Sequence, residues 1–162
     1  MSRTHFDSLL SRVGELIGVY DLAADSDGYC LVRIDDQLDL SIEFSEDADS
    51  AILSAACGVL PELPSPGLLA EILGANYYWI GSGGGTLALH GHSHTLYLQF
   101  REPLAHLDAA RLKDLLEALV INAEAWSRKL HDAADAPASS TPAQATVPAP
   151  TMDPLTLHAM RV

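Results

Sequence analysis

Leu38-Asp39-Leu40-Ser41-Ile42-Glu43-Phe44-Ser45 alternates apolar and polar residues without a break. A period of two puts the greasy side chains on one face of a strand and the wet ones on the other, so this stretch is half-buried sheet. Upstream, Asp27-Gly28 reads as a turn and Tyr29–Ile34 as a second strand, joined to the first by a tight connection at Asp35-Asp36-Gln37. Downstream, Glu46–Ser50 is a polar turn into Ala51–Leu60, whose residues are apolar and small on both sides. Such a strand is covered on both faces, or another element passes close to it. Connections this short cannot cross over a sheet, so the three strands form an antiparallel meander.

Helical spacing flanks the meander. Phe6, Leu9, Leu10, Val13, Leu16 and Ile17 form a stripe over about Arg3–Ile17, with Gly18 as a stop. After the rigid Pro61–Pro66 loop, Ser65-Pro66 fits a helix cap with proline at the first helical position. Leu68, Leu69, Ile72 and Leu73 give a second helix that ends around Gly74–Tyr78. Thr86–His90 and Thr95–Arg101 read as a hairpin with Leu96, Leu98 and Phe100 on its apolar face. Asp108 caps the longest helix, which carries Leu112, Leu115, Leu116, Leu119, Val120, Ala123, Trp126 and Leu130 at helical intervals. The order helix, three-strand antiparallel meander, helix, two-strand hairpin, helix is an α+β domain over residues 1–132. Residues 133–162 change character. Their Ala/Pro/Ser/Thr composition and lack of periodicity predict a disordered tail. Within it Met152–Val162 regains Leu155, Leu157, Met160 and Val162, a short docking peptide at most and a frayed end on the plainer reading.

Charge excludes several functions. The 162 residues carry 22 acids against 9 Lys and Arg, a net charge of -13 that repels phosphate backbones and anionic lipid. Nucleic acid and membrane surfaces are therefore not the expected partners, whereas a basic protein would be attracted. Much of the acid lies between Asp21 and Asp49, where Arg33 is the only base, and reads as a solvated face. Cys30 and Cys57 sit apart in apolar stretches, as buried thiols of a reducing compartment do. The first residues lack the apolar core of a secretory signal, and no apolar run nears the roughly 18 residues of a membrane span, so a cytoplasmic protein is expected.

Catalytic motifs find no support. Ile80-Gly-Ser-Gly-Gly-Gly-Thr86 has no lysine beside it, and it follows a helix and opens a strand, the reverse of a dinucleotide fingerprint. It reads as a mobile connector and not a phosphate cradle. His90, His92 and His94 would share one face of a continuous strand and so share a zinc ion, but Gly91-His92-Ser93 is the natural turn of the hairpin. No Gly-x-Ser-x-Gly elbow occurs, and the apolar neighbours of both cysteines would raise their pKa. The chain is not expected to be an enzyme or to need a cofactor.

Two surfaces invite a partner instead. One is the first helix beside the sheet, with Leu9, Val13, Ile17, Leu40 and Ile42 as candidate binding residues. The other surrounds the second helix and fourth strand, with Leu69, Ile72, Tyr78, Trp79, Leu87 and Leu89. A short helix beside three aromatics is hard to cover within one small chain, which suggests an isologous dimer interface.

The stretches "FDSLLSRVGELIGV", "DGYCLVRIDDQLDLSIEF", "LLAEILGAN", "GGTLALHG" and "LLEALVINAEAW", in that order over roughly residues 3–131, resemble the class I chaperones of bacterial type III secretion, the Tir-chaperone (CesT-like) family. The resemblance implies a cytosolic homodimer without enzymatic activity. It would hold the amino-terminal segment of a secreted effector in extended form and present it to the secretion ATPase. The tail at 133–162 and the long glycine run depart from that pattern. A generic α+β adaptor that binds folded partners is the alternative, with a metal site on His90, His92 and His94 behind it.

Overall fold

The computed structural model describes residues 2–34 and 38–135. Helix α1 spans Ser2–Ile17, and strands β1 (Tyr29–Ile34), β2 (Leu38–Ser45) and β3 (Ser50–Val59) follow. Helix α2 spans Pro66–Ala75, a single 3-10 turn covers Tyr77–Trp79, and β4 (Thr86–His90) and β5 (Thr95–Pro103) form the second hairpin. A 3-10 turn at Leu104–His106 precedes helix α3, Ala109–Asp135. The connection expected at 35–37 and the tail from 136 onward lie outside the described residues, while α3 continues through 133–135.

All five strands join one antiparallel sheet in the order β1-β2-β3-β5-β4. The register explains the alternation of β2. Leu40 faces Ala55 and Ile42 faces Leu53; Leu53 in turn faces Phe100, and Leu98 faces Leu87. One face of the sheet is therefore apolar from β2 to β4, and α1 and α3 pack over it with Phe6, Leu10, Leu112, Leu119 and Trp126. Full burial of an aliphatic such as Ile42 contributes about 1.5–3 kcal/mol. The small residues of β3 belong to the middle strand: Ala51, Ala55 and Cys57 lie under α3, while Ser54 on the other face takes a hydrogen bond from Gln99 Nε2 at 3.0 Å. That second face is mixed: it carries the exposed Arg33–Asp39 pair across β1 and β2, at 2.6 Å, beside the exposed Tyr29 and Leu31. The pairing holds the Asp39 carboxyl below its ordinary pKa and the guanidinium above its own.

The helix ends are where the sequence puts them. Gly18, just past α1, adopts φ +78°, the left-handed conformation that ends helices. Ser65 Oγ accepts from Leu68 N at 3.1 Å with proline next in the chain, and Asp108 Oδ1 accepts from Arg111 N at 2.7 Å to cap α3.

Candidate functional site

The two helices do not close the apolar face completely. Between α3 and the β1–β2 corner runs an open groove of about 430 Å³. Its floor is Val32, Ile34, Leu40 and Ile42, its walls are Leu116, Val120 and Ile121 of α3, and Ile17 and Leu22 close one end. Lys113 and Glu117, one helical turn apart and hydrogen-bonded, provide its polar rim, and the carboxylate raises the pKa of the Lys113 ammonium. A lining of this kind offers apolar contact with little polar direction, which suits side chains of varied shape.

The candidate binding residues divide at this groove. Leu40, Ile42 and Ile17 line it: Ile17 is 40% exposed, whereas Leu40 and Ile42 are buried core residues at its base. Leu9 and Val13 do not line it: both are fully buried between α1 and the core, because the stripe they belong to is the face α1 presents to its neighbours. The α3 wall went unassigned in the sequence. Ile121 carries the missed signal, an isoleucine one position off the apolar stripe of α3 and 66% exposed.

A second apolar surface covers α2, the turn after it and β4. Leu69, Tyr78, Trp79 and Leu89 are exposed there as the sequence suggested, whereas Ile72 and Leu87 are buried within the chain itself. Those two point inward because they join α2 and β4 to the core. Leu73, Tyr77 and Ile80, not singled out beforehand, enlarge the patch with 71–82% of their surface open. Tyr78 and Trp79 hold positive φ angles of 52° and 55°, a conformation costing on the order of 1–3 kcal/mol per residue that throws both rings outward. The side-chain amide of Asn76 fixes this turn to β4, donating to Leu87 O at 3.1 Å and accepting from Leu87 N at 2.8 Å. Asn76→Ala leaves two backbone groups unpaired and should destabilise the chain by about 1–3 kcal/mol, read as a lower urea midpoint with unchanged slope.

The glycine run between the patch and β4 is packed, not mobile as its composition suggested. Ser82 is fully buried, with its hydroxyl between the carbonyls of Trp79 and Gly85. Trp126 Nε1 of α3 donates to Gly81 O at 3.1 Å. Gly83 has φ +63°, and a Cβ there would lie 2.2 Å from the Asn122 amide nitrogen, so glycine lets the loop lie against α3. The amides of Gly81, Gly84 and Gly85 are spent on Ala75, Trp79 and Ser82 carbonyls, leaving none of the three to cradle a phosphate.

Residues 91–94 form the turn of the second hairpin. It breaks the common strand face of the three histidines: His94 sits at φ +54° and His90 Nδ1 lies 2.7 Å from Ser93 Oγ. Among the described residues no cluster of His, Cys, Asp or Glu is placed to hold a metal ion. Both thiols are buried, and burial raises their pKa, that of Cys57 to about 11. Cys57 should therefore resist thiol reagents at pH 8 in the folded protein and react fully once urea unfolds it; rapid native labelling would refute the burial. Its folded pKa stands above the ordinary 9.0, so the stability it confers is complete below pH 9 and is lost as pH rises towards about 11.

Comparison with known proteins follows the same outline. The Tir chaperone protein (CesT) family model matches residues 8–127. A chain of the ExsC–ExsE complex superposes with a TM-score of 0.68 at 20% identity, covering 78% of this chain and 94% of that one. A chain of the HopA1–SchA chaperone–effector complex gives 0.66 at 21% identity over 79% and 97%. The Yersinia pestis type III secretion chaperone SycH, in complex with a fragment of YscM2, gives 0.62 at 20% identity over 75% and 98%. No curated protein matches the sequence. Among the described residues no helix is long and apolar enough to cross a membrane.

Proposed function

The chain belongs to the Tir chaperone protein (CesT) family, and from that premise we propose that it is a type III secretion chaperone. It binds the amino-terminal segment of an effector in extended form and keeps it competent for secretion. The observation that carries this reading is the groove beside α3, open and lined almost wholly by apolar side chains. A segment that has not folded still exposes its own apolar side chains, and it loses ordering entropy when it docks. Many modest contacts along a path suit it better than one deep pocket.

The exposed patch at Leu69, Tyr78, Trp79 and Leu89 supports pairing as a homodimer, which would give one client two grooves to span. It acts in the cytoplasm without enzymatic activity or cofactor and passes its client to the secretion ATPase. The test is co-expression with an effector encoded nearby. A complex of two chaperones to one effector by light scattering, with the bound segment protected from protease yet lacking a fold of its own, is the expected result. Ile121→Asp should abolish it. A bound client that proves to be already folded would favour an adaptor instead.

A further inference from the structure

The groove has no cover among the described residues, yet this chain carries a segment of matching chemistry beyond α3. Residues 136–151 contain no charged side chain, and Met152–Val162 then brings Leu155 and Leu157 at the spacing of one strand face. We propose that Met152–Val162 seats in the groove of its own chain, with Leu155 and Leu157 against Val120 and Ile121, and occupies the place of a client until one arrives. The inference rests on the groove being the client's seat.

Reach permits it. Ile121 lies 14 residues before Asp135, about 21 Å back along the helix. The 16 residues 136–151 span on the order of 50 Å when extended, at about 3 Å each, so the return path is short of their limit. Charge permits it too. Asp153 and Arg161 cancel, so the segment is neutral and the whole net charge of -13 falls on residues 1–135. An uncharged spacer and a neutral segment meet no repulsion from so acidic a body, and Arg161 is attracted to it. Tethering then raises the local concentration of the segment to about the millimolar range, so weak contacts suffice to keep it seated. A client must outcompete it, which favours long, many-point partners over short greasy peptides.

The test uses the full-length protein with a benzophenone amino acid at Ile121. Irradiation should give an adduct with residues 152–162, within one chain in a mixture of isotopically light and heavy protein. Leu155→Asp/Leu157→Asp should remove it. No adduct with the segment, an adduct to a second copy, or an adduct indifferent to the double substitution would overturn the proposal. In parallel, a fluorescein-labelled peptide of residues 152–162 should bind the full-length double variant about tenfold more tightly than the unmodified chain; equal binding to both, or binding to neither, would overturn it as well. The adduct is read without any client. Failure of the chaperone reading would show separately, as no effector complex from either protein.

Discussion

Trp126→Ala should lower the stability of the chain by about 3–5 kcal/mol, a large share of what a domain of this size has. The indole is 2% exposed, so truncation leaves a cavity under α3. It also removes the Nε1 hydrogen bond to Gly81 O and with it the clamp on the glycine loop. Lys129, whose ammonium stands 4.5 Å from the ring centroid, loses its partner there but keeps Glu71. A drop in melting temperature of roughly 10–20 °C is expected. Trp126→Phe separates the two contributions, since it restores most of the volume but not the donor and should cost about 1–3 kcal/mol for the unpaired carbonyl. A loss under about 1 kcal/mol for the alanine variant would mean that the loop is held by other means.

Trp79→Asp should take the proposed dimer apart. The ring is 54% exposed in the single chain, and a tryptophan at the centre of an interface is typically worth 2–4 kcal/mol, or roughly a thirtyfold to thousandfold change in dissociation constant. A carboxylate that must be desolvated against Leu69 and Leu89 adds to that loss. The protomer itself should be spared, because at φ +55° aspartate is easier to accommodate than tryptophan. Light scattering at micromolar protein should show a monomer with an unchanged far-ultraviolet spectrum. A dimer that survives would place the interface elsewhere.

The architecture was legible because its signals are local. The period-two run of β2, the Ser65-Pro66 and Asp108 caps and the helical stripes of α1 and α3 each fix an element without reference to the rest. Which apolar residues remain open was not local. Leu9 and Ile17 belong to one stripe, yet one is sealed and the other lines the groove, because α3 covers only part of α1. Ile72 and Leu69 differ in burial too, three positions apart on a ten-residue helix. Composition misled at the glycine run as well. Three glycines suggest freedom, but here the absence of side chains is what brings the loop close to Asn122 and Trp126.

The strand order has an implication for the chain while it is being made. β3, the middle strand, takes one neighbour from the residues just before it and the other from β5, where Ser54 meets Gln99. At about 5–20 residues per second, a ribosome needs on the order of several seconds to pass from the end of β3 to the end of β5. Throughout that interval the most apolar strand of the nascent meander has an unsatisfied flank, ready to pair with any extended polypeptide nearby.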